Sequence, residues 1–258
     1  MPLDLSEWLR VWAAHPWGTA VLVNTVLLAP LLLMPPTVLT RWGAVHAWLL
    51  GVVLWGSLGW RGYGVVVFYF AVGSAVTKVG YAVKAARGIA EARGGARGPE
   101  NVWGSAAVGA LCALGIAWLG EPWTFPLQMG FVGSFAAKLS DTVASEIGKA
   151  YGRHTILLTT WQPVPPGTEG AVSWEGTLAG LLGGLGLTLV GWAVGLVPVM
   201  GIPICVAASV LANAVESWVG ATWQRQWPWL TNEWVNGLNT LVGAVISGSG
   251  AWWLRHWL

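Results

Sequence analysis

Eight apolar runs of membrane-spanning length follow one another along 258 residues, and they leave this chain few ways to fold. They lie near residues 16–34, 42–60, 62–81, 102–120, 124–143, 174–196, 200–219 and 234–254. About 20 apolar residues suffice to cross a bilayer, and every backbone N–H and C=O inside the hydrocarbon must be satisfied internally, so each run is expected to be a helix. Only 9% of the chain is charged, against about 25% in an ordinary soluble domain. No polar block is long enough to fold separately in water. The expected class is an all-α integral membrane protein, a polytopic bundle of about seven or eight transmembrane helices, with residues 1–258 forming a single transmembrane domain. The fifth run turns polar toward its end, and the seventh contains Pro203 and ends among Asn213 and Glu216.

Charge orients the bundle. The connections after odd-numbered runs carry Arg41, then Lys84, Arg87, Arg93 and Arg97, then Lys149 and Arg153, then Arg225, whereas the other side holds Arg10, Arg61 and Arg255. Short loops rich in Lys and Arg stay in the cytoplasm, so both termini are expected outside and the polar motifs on the cytoplasmic face. Several of the 21 tryptophans, among them Trp17, Trp42, Trp60, Trp103, Trp123, Trp234 and Trp252, sit near run ends, where an indole suits the headgroup layer. The N-terminal segment has acids, a single Arg10 and no small-residue cleavage site, so it is expected to be retained rather than removed as a signal peptide. Cys112 and Cys205 lie within apolar runs and are read as buried small residues. His15, His46, His154 and His256 are scattered and take no assigned role.

Ionisable side chains within membrane helices are costly and face a partner or a cavity. Lys78, Lys138, Asp141, Glu146 and Glu216 therefore need explaining. In AAKLSDTVASEIGKAYG, Lys138, Asp141, Thr142, Ser145, Glu146 and Lys149 recur at spacings of three and four, which makes one broad polar stripe on a helix. Mg²⁺ takes one or two carboxylates and completes its shell with water and phosphate oxygens, so Asp141 and Glu146 can supply it, with Glu216 as a third candidate acid. Lysines on the same face would balance polyphosphate charge. The alternative is an internal ion-pair network, Lys138 to Asp141 and Glu146 to Lys149, that only stabilises the bundle. The loop after this stripe is stiffened by Pro163, Pro165 and Pro166 and turned by Gly167 and Gly170 around Thr168; its amides can hold phosphate, or it is an ordinary turn. Ser173 is the expected N-cap of the sixth run. For Lys84, Arg87 and Arg93, charge beside anionic lipid is at least as good a reading as phosphate binding, whereas Arg97 and Asn101 are better placed for function. Asn213, Glu216 and Ser217 share helical spacing, and Asn236 and Asn239 lie one turn apart, suited to a nucleotide or to hydrogen bonds between helices. Gly176, Gly180 and Gly184 recur every four residues, a signal for close helix approach.

The strings TKVGYAVKAARGIA, RGPENVWGS, SDTVASEIGKAYG, PVPPGTEGAVSWEGTLAG, SWVGATWQ and NGLNT, between Thr77 and Thr240, resemble the successive hallmarks of the phytyl-phosphate kinase family of plants and cyanobacteria, itself similar to membrane polyprenol kinases. Ser140-Asp141-Thr142 stands where the family has Ala-Asp-Thr. The resemblance implies Mg²⁺-dependent phosphoryl transfer from a nucleoside triphosphate, CTP in expectation, to an isoprenoid monophosphate such as phytyl phosphate in the tocopherol pathway. It implies Asp141 and Glu146 as metal ligands, with Lys138, Lys149 and Arg97 as phosphate contacts; Lys138 joins the two acids as the catalytic set. Small residues such as Gly180, Gly183 and Gly184 could line a lipid groove. The expected partners are the nucleotide, the isoprenoid lipid and membrane lipid, with no nucleic acid and no assigned oligomeric state. A transporter or channel, and a cytidylyltransferase forming a CDP-lipid, remain the competing classes.

Overall fold

The computed structural model describes Trp12, residues 15–33 and residues 37–255; the N-terminal segment up to residue 11, on which the signal-peptide expectation rests, lies outside the described residues. Six long helices and one long helix folded in two occupy the places of the eight apolar runs: α1 (Pro16–Leu33), α2 (Arg41–Lys78), α4 (Pro99–Leu119), α5 (Thr124–Tyr151), α6 (Trp174–Ala193), α7 (Ile202–Ala221) and α8 (Asn232–Leu254). A short α3 (Tyr81–Ala86) and a 3-10 turn (Ala92–Gly95) lie between α2 and α4. Among the described residues five helices are long and apolar enough to cross a membrane: α1, α2, α4, α6, and α7 with the 3-10 turn that precedes it. α5 and α8 are also long enough, but both turn polar side chains such as Lys138 and Asn236 inward.

α2 runs for 38 residues, which straight would be about 57 Å, nearly twice the hydrocarbon core of about 30 Å. It does not run straight. Gly59 adopts φ +62° and ψ −155° inside it, a region essentially closed to residues with a Cβ, and the chain doubles back there. The two halves meet the same neighbours. Gly51 of the first half packs on Asn24 of α1, and Tyr63 of the second half donates from its hydroxyl to Asn24 Oδ1 at 3.0 Å. At the other end, the Thr40 amide donates to the Arg97 carbonyl at 3.0 Å, and Gly73 lies against the Arg97 guanidinium. Runs two and three are thus the two arms of a hairpin. Gly59→Ala is expected to cost about 1–3 kcal/mol, read as a lowered unfolding midpoint in detergent; an unchanged midpoint would show that the hairpin does not need this backbone geometry.

α5 is the central element, packed against α6, α7, α8, α4 and α2. Its first half is sealed by Met129, Phe131, Val132 and Phe135, all fully buried. The expected end of this helix near residue 143 is corrected to Tyr151, because the polar stripe is helical and faces neighbours rather than lipid. Close packing answers for the glycine series in α6. A Cβ on Gly180 would sit 2.8 Å from both Ala144 Cβ and the Ser140 carbonyl, and one on Gly184 would sit 2.5 Å from Ser209 Oγ. These glycines, with Gly183 against Val143, seat α6 on α5 and α7 and leave no lipid groove there, which corrects that expectation. Ser173 caps α6 as expected, its Oγ accepting from the Gly176 amide at 3.1 Å.

The proline-stiffened loop between α5 and α6 contains a two-stranded antiparallel ribbon, β1 (Thr155–Leu157) with β2 (Ala171–Ser173). Its proline-rich tip folds back so that the Val164 amide donates to the Thr155 carbonyl at 2.9 Å. Connections alternate between the two ends of the bundle. At one end Arg255 pairs with Glu121 at 2.8 Å, beside Trp123 packed edge-on against Trp252. At the other end lie the loops that follow runs one, three, five and seven. Trp42, Trp60, Trp123, Trp234 and Trp252 are exposed, as anchors at the headgroup layer should be, and Cys112 and Cys205 are buried free thiols.

Candidate active site in a polar cavity at one end of the bundle

The loops at that end enclose a cavity of about 770 Å³, walled by the last turns of α5, the segment before α4, the ribbon loop and the facing ends of α7 and α8. Its floor is α5. Lys138 Nζ donates to Asp141 Oδ2 at 2.5 Å and to Asn236 Oδ1 of α8 at 2.6 Å. Ser145 Oγ donates to Asp141 Oδ1 at 3.4 Å, and Thr142 Oγ1 is turned back to the Lys138 carbonyl at 2.9 Å. Glu216 reaches in from α7 to line the same cavity, close enough to Asp141 and Lys138 to interact with both charges. Its Oε2 is shut off from solvent and has no partner among the described residues. A buried carboxylate oxygen left unpaired is costly, which makes this atom a marker for something the cavity is built to hold.

Of the residues singled out in the sequence, Arg97, Asn101, Lys138, Asp141, Thr142, Ser145, Glu146, Lys149, Gly167, Thr168, Gly170, Asn213, Glu216 and Asn236 line this cavity. Lys78, Lys84 and Asn239 do not. Lys78 is exposed in the last turn of α2. Asn239 is fully buried behind the cavity, where its Nδ2 donates to Asn213 Oδ1 at 3.0 Å while Asn213 Nδ2 donates to Ser140 Oγ at 2.8 Å. Asn239 therefore belongs to a chain of hydrogen bonds tying α8, α7 and α5 together.

Glu146 lies apart from Asp141 and is engaged by another helix. Five residues separate it from Asp141, and at 3.6 residues per turn that places the two carboxylates about 140° apart, at opposite edges of the stripe. Glu146 is 3% exposed and forms an ion pair with Lys84 of α3, itself fully buried and donating also to the Thr77 carbonyl at 2.9 Å. Lys84 is thus neither a lipid-facing charge nor a cavity cation. Lys149, expected beside Glu146, pairs instead with Glu91 at 3.2 Å. The pair of acids that the fold does bring together is Asp141 and Glu216.

Asn101 is also more committed than expected. Its Oδ1 accepts from the Gly98 amide and from Arg93 Nη2, both at 2.9 Å, which caps the start of α4. Arg97 lies with its guanidinium 5.3 Å from the Tyr69 ring centroid and 5.7 Å from that of Phe70, donating to the Tyr69 hydroxyl at 2.9 Å. In the ribbon loop Gly170 packs so closely on the end of α7 that a Cβ would lie 2.3 Å from the Ala221 amide. Together with Gly167 at φ +86°, it sets the path that hangs Glu169 over the cavity. Burial, with Asp141 and Glu91 nearby, pushes the Glu169 carboxyl above its ordinary value against the opposing pull of Lys149.

Tyr69, Glu91, Glu169 and Glu233 line the cavity without having been singled out. Glu169 sits inside the Pro-Pro-Gly-Thr-x-Gly segment, so that motif carried a signal for it. Glu91 and Glu233 stood in ordinary polar stretches. With them, six carboxylates line the cavity against the cations Arg93, Arg97, Lys138 and Lys149; since Glu146 is matched by Lys84, the remaining excess is one carboxylate, a lining that a divalent cation would balance.

Residues 24–244 match the family model described as integral membrane protein DUF92. The chain belongs to this family of integral membrane proteins. It is 58% identical over 243 residues to the uncharacterised membrane protein sll0875 of Synechocystis, covering 94% of each chain. It is 45% identical over 242 residues to Protein VTE6, chloroplastic, of Arabidopsis thaliana, covering 91% of this chain and 72% of that one. The uncharacterised membrane protein MJ0933 of Methanocaldococcus jannaschii is 32% identical over 205 residues, covering 79% of this chain and 82% of that one. No solved structure matches the chain. These matches bear out the family resemblance carried by the motifs, and the matched span contains every residue of the cavity floor.

Proposed function

We propose that this protein is a membrane kinase that transfers a phosphoryl group from a nucleoside triphosphate, CTP in first place, to an isoprenoid monophosphate such as phytyl phosphate, in the tocopherol pathway, with Mg²⁺ and on the cytoplasmic face. The observation that carries the proposal is the meeting of Asp141 and Glu216 beside Lys138, with Glu216 Oε2 buried and unpaired. Among the described residues no group of three or more His, Cys, Asp or Glu side chains is set to enclose a metal. Mg²⁺ asks for less, since one or two carboxylates suffice when water and phosphate complete the shell. Asp141 and Glu216 fit that demand. Bound there, Mg²⁺ would neutralise charge on the donor phosphates and hold them in place.

The chain's own groups account for the rest. Lys138, held between Asp141 and Asn236, presents a fixed positive charge at the cavity floor, and Lys149 presents another at the rim. An oxygen of the acceptor monophosphate attacks the γ-phosphorus, the bond from that phosphorus to the β–γ bridging oxygen breaks, and the nucleoside diphosphate leaves. The acceptor oxygen is already ionised, so no general base is needed. The task of the site is to bring two anions together, which positioning and cationic side chains accomplish.

The test is product analysis. Purified protein given phytyl monophosphate, CTP and Mg²⁺ is expected to yield phytyl diphosphate and CDP by mass spectrometry, with ATP, GTP and UTP compared in parallel. A CDP-lipid with pyrophosphate would instead make it a cytidylyltransferase, and no product with any nucleotide would return the transporter reading.

A further inference from the structure

A second cavity abuts the first. It is a slot of about 120 Å³ with almost wholly apolar walls, bounded by Leu28 of α1, Ala47 and Leu50 of the first arm of α2, Val66 of the second arm, and Val102 and Ala106 of α4. Tyr69, Arg97, Asn101 and Ser105 line both cavities. Val67, 47% exposed, stands at the outer lip. A molecule occupying both spaces must be charged at one end and apolar immediately behind it, with the change falling at Arg97.

We propose that this slot holds the first isoprene unit of the lipid monophosphate, with Arg97 at its phosphate, while the rest of the chain leaves past Val67 into the bilayer. The inference rests on the kinase reading for the identity of the head group, and on volume for the rest. An apolar cavity of about 150 Å³ takes a benzene ring, so a slot of about 120 Å³ takes about five carbons. A longer chain cannot be enclosed. The site therefore recognises the phosphate-proximal end and is indifferent to chain length beyond it. The hairpin at Gly59 is what creates the slot, because folding α2 back sets Ala47 and Val66 on facing arms. Arg97 is tethered to the Tyr69 hydroxyl and to the aromatic faces of Tyr69 and Phe70, which fixes its charge at the boundary between the two spaces.

The experiment uses the full chain in phospholipid nanodiscs, with two photoreactive phytyl monophosphates that carry a diazirine on the first or on the last isoprene unit. The proximal probe is expected to label peptides containing Leu50, Val66 or Val102, in competition with unlabelled phytyl monophosphate, and the distal probe to label lipid. Geranyl, farnesyl and phytyl monophosphates at equal mole fraction should show KM values within about threefold of one another. Ala47→Phe, which fills the slot, should raise all three by about tenfold or more while nucleotide KM stays within about twofold. Val66→Trp is the second blocking variant should the first not fold, and the wild-type labelling needs neither. Proximal label elsewhere, steep dependence on chain length, or normal lipid KM in a folded blocking variant overturns the inference. Turnover with label elsewhere sinks the slot alone; competed label in the slot without turnover sinks the kinase reading alone; neither label nor turnover sinks both.

Discussion

Asp141→Asn is expected to reduce turnover of phytyl monophosphate by at least about 10³-fold, the scale reached when a preorganised electrostatic group is removed from a phosphoryl-transfer site. The substitution keeps the shape of the side chain and its hydrogen bond to Ser145, but it removes the negative charge that meets Glu216 and Lys138. The Asp141 side chain is 17% exposed, at the edge of the cavity rather than in the packed core. Lys138 keeps its hydrogen bond to Asn236, and the Glu216 carboxylate stays near enough to stabilise its charge. The loss should therefore appear in turnover and in the Mg²⁺ concentration needed for half activity, with the thermal midpoint in detergent little changed. Mass spectrometry of the diphosphate product in wild type and variant decides it. Equal rates would remove Asp141 from the site, whereas a collapsed thermal midpoint would make its role structural.

Lys84→Met is expected to destabilise the fold by about 3–5 kcal/mol, because it leaves the Glu146 carboxylate buried without its counter-charge. Both members of this pair are nearly inaccessible, 0% exposed for Lys84 and 3% for Glu146, so water cannot take over. Replacing both with apolar residues of similar size, Lys84→Met with Glu146→Leu, should restore most of the loss. Activity then separates the two roles open to Glu146. If it only pins α3 to α5, the double variant keeps Mg²⁺-dependent turnover near that of the wild type. If it ligates the metal, stability returns in the double variant and turnover does not. Chemical denaturation in mixed micelles, measured beside the product assay, gives both answers from the same preparations.

Composition and the spacing of apolar runs were enough to read the membrane class and the places of the helices, since a helix is the local answer to backbone polarity in lipid. The α5 stripe was equally legible, because residues three and four apart share a face whatever surrounds them. The sorting of that stripe was not. Asp141 and Glu146 look equivalent by chemistry and by neighbourhood, and only the arrival of Glu216 at one edge and Lys84 at the other distinguishes them. Lys84 is 62 residues from Glu146 along the chain, and nothing local to either announces the pairing. The glycines of α6 carried the correct signal for close approach and the wrong suggestion of a groove, since an absent side chain makes room that a neighbouring helix can fill. The reversal between the second and third runs was legible, since Arg61 divides them, but nothing singled out Gly59 among the neighbouring glycines as the residue whose backbone makes it.

Local periodicity and hydropathy determined this protein's class, its helices and a polar face, because those properties depend on residues within a few turns of one another. The tertiary structure alone decided which acids meet, which charges are consumed in pairs, and where an apolar slot opens beside the polar cavity, because each of those depends on side chains brought together from helices far apart in the chain.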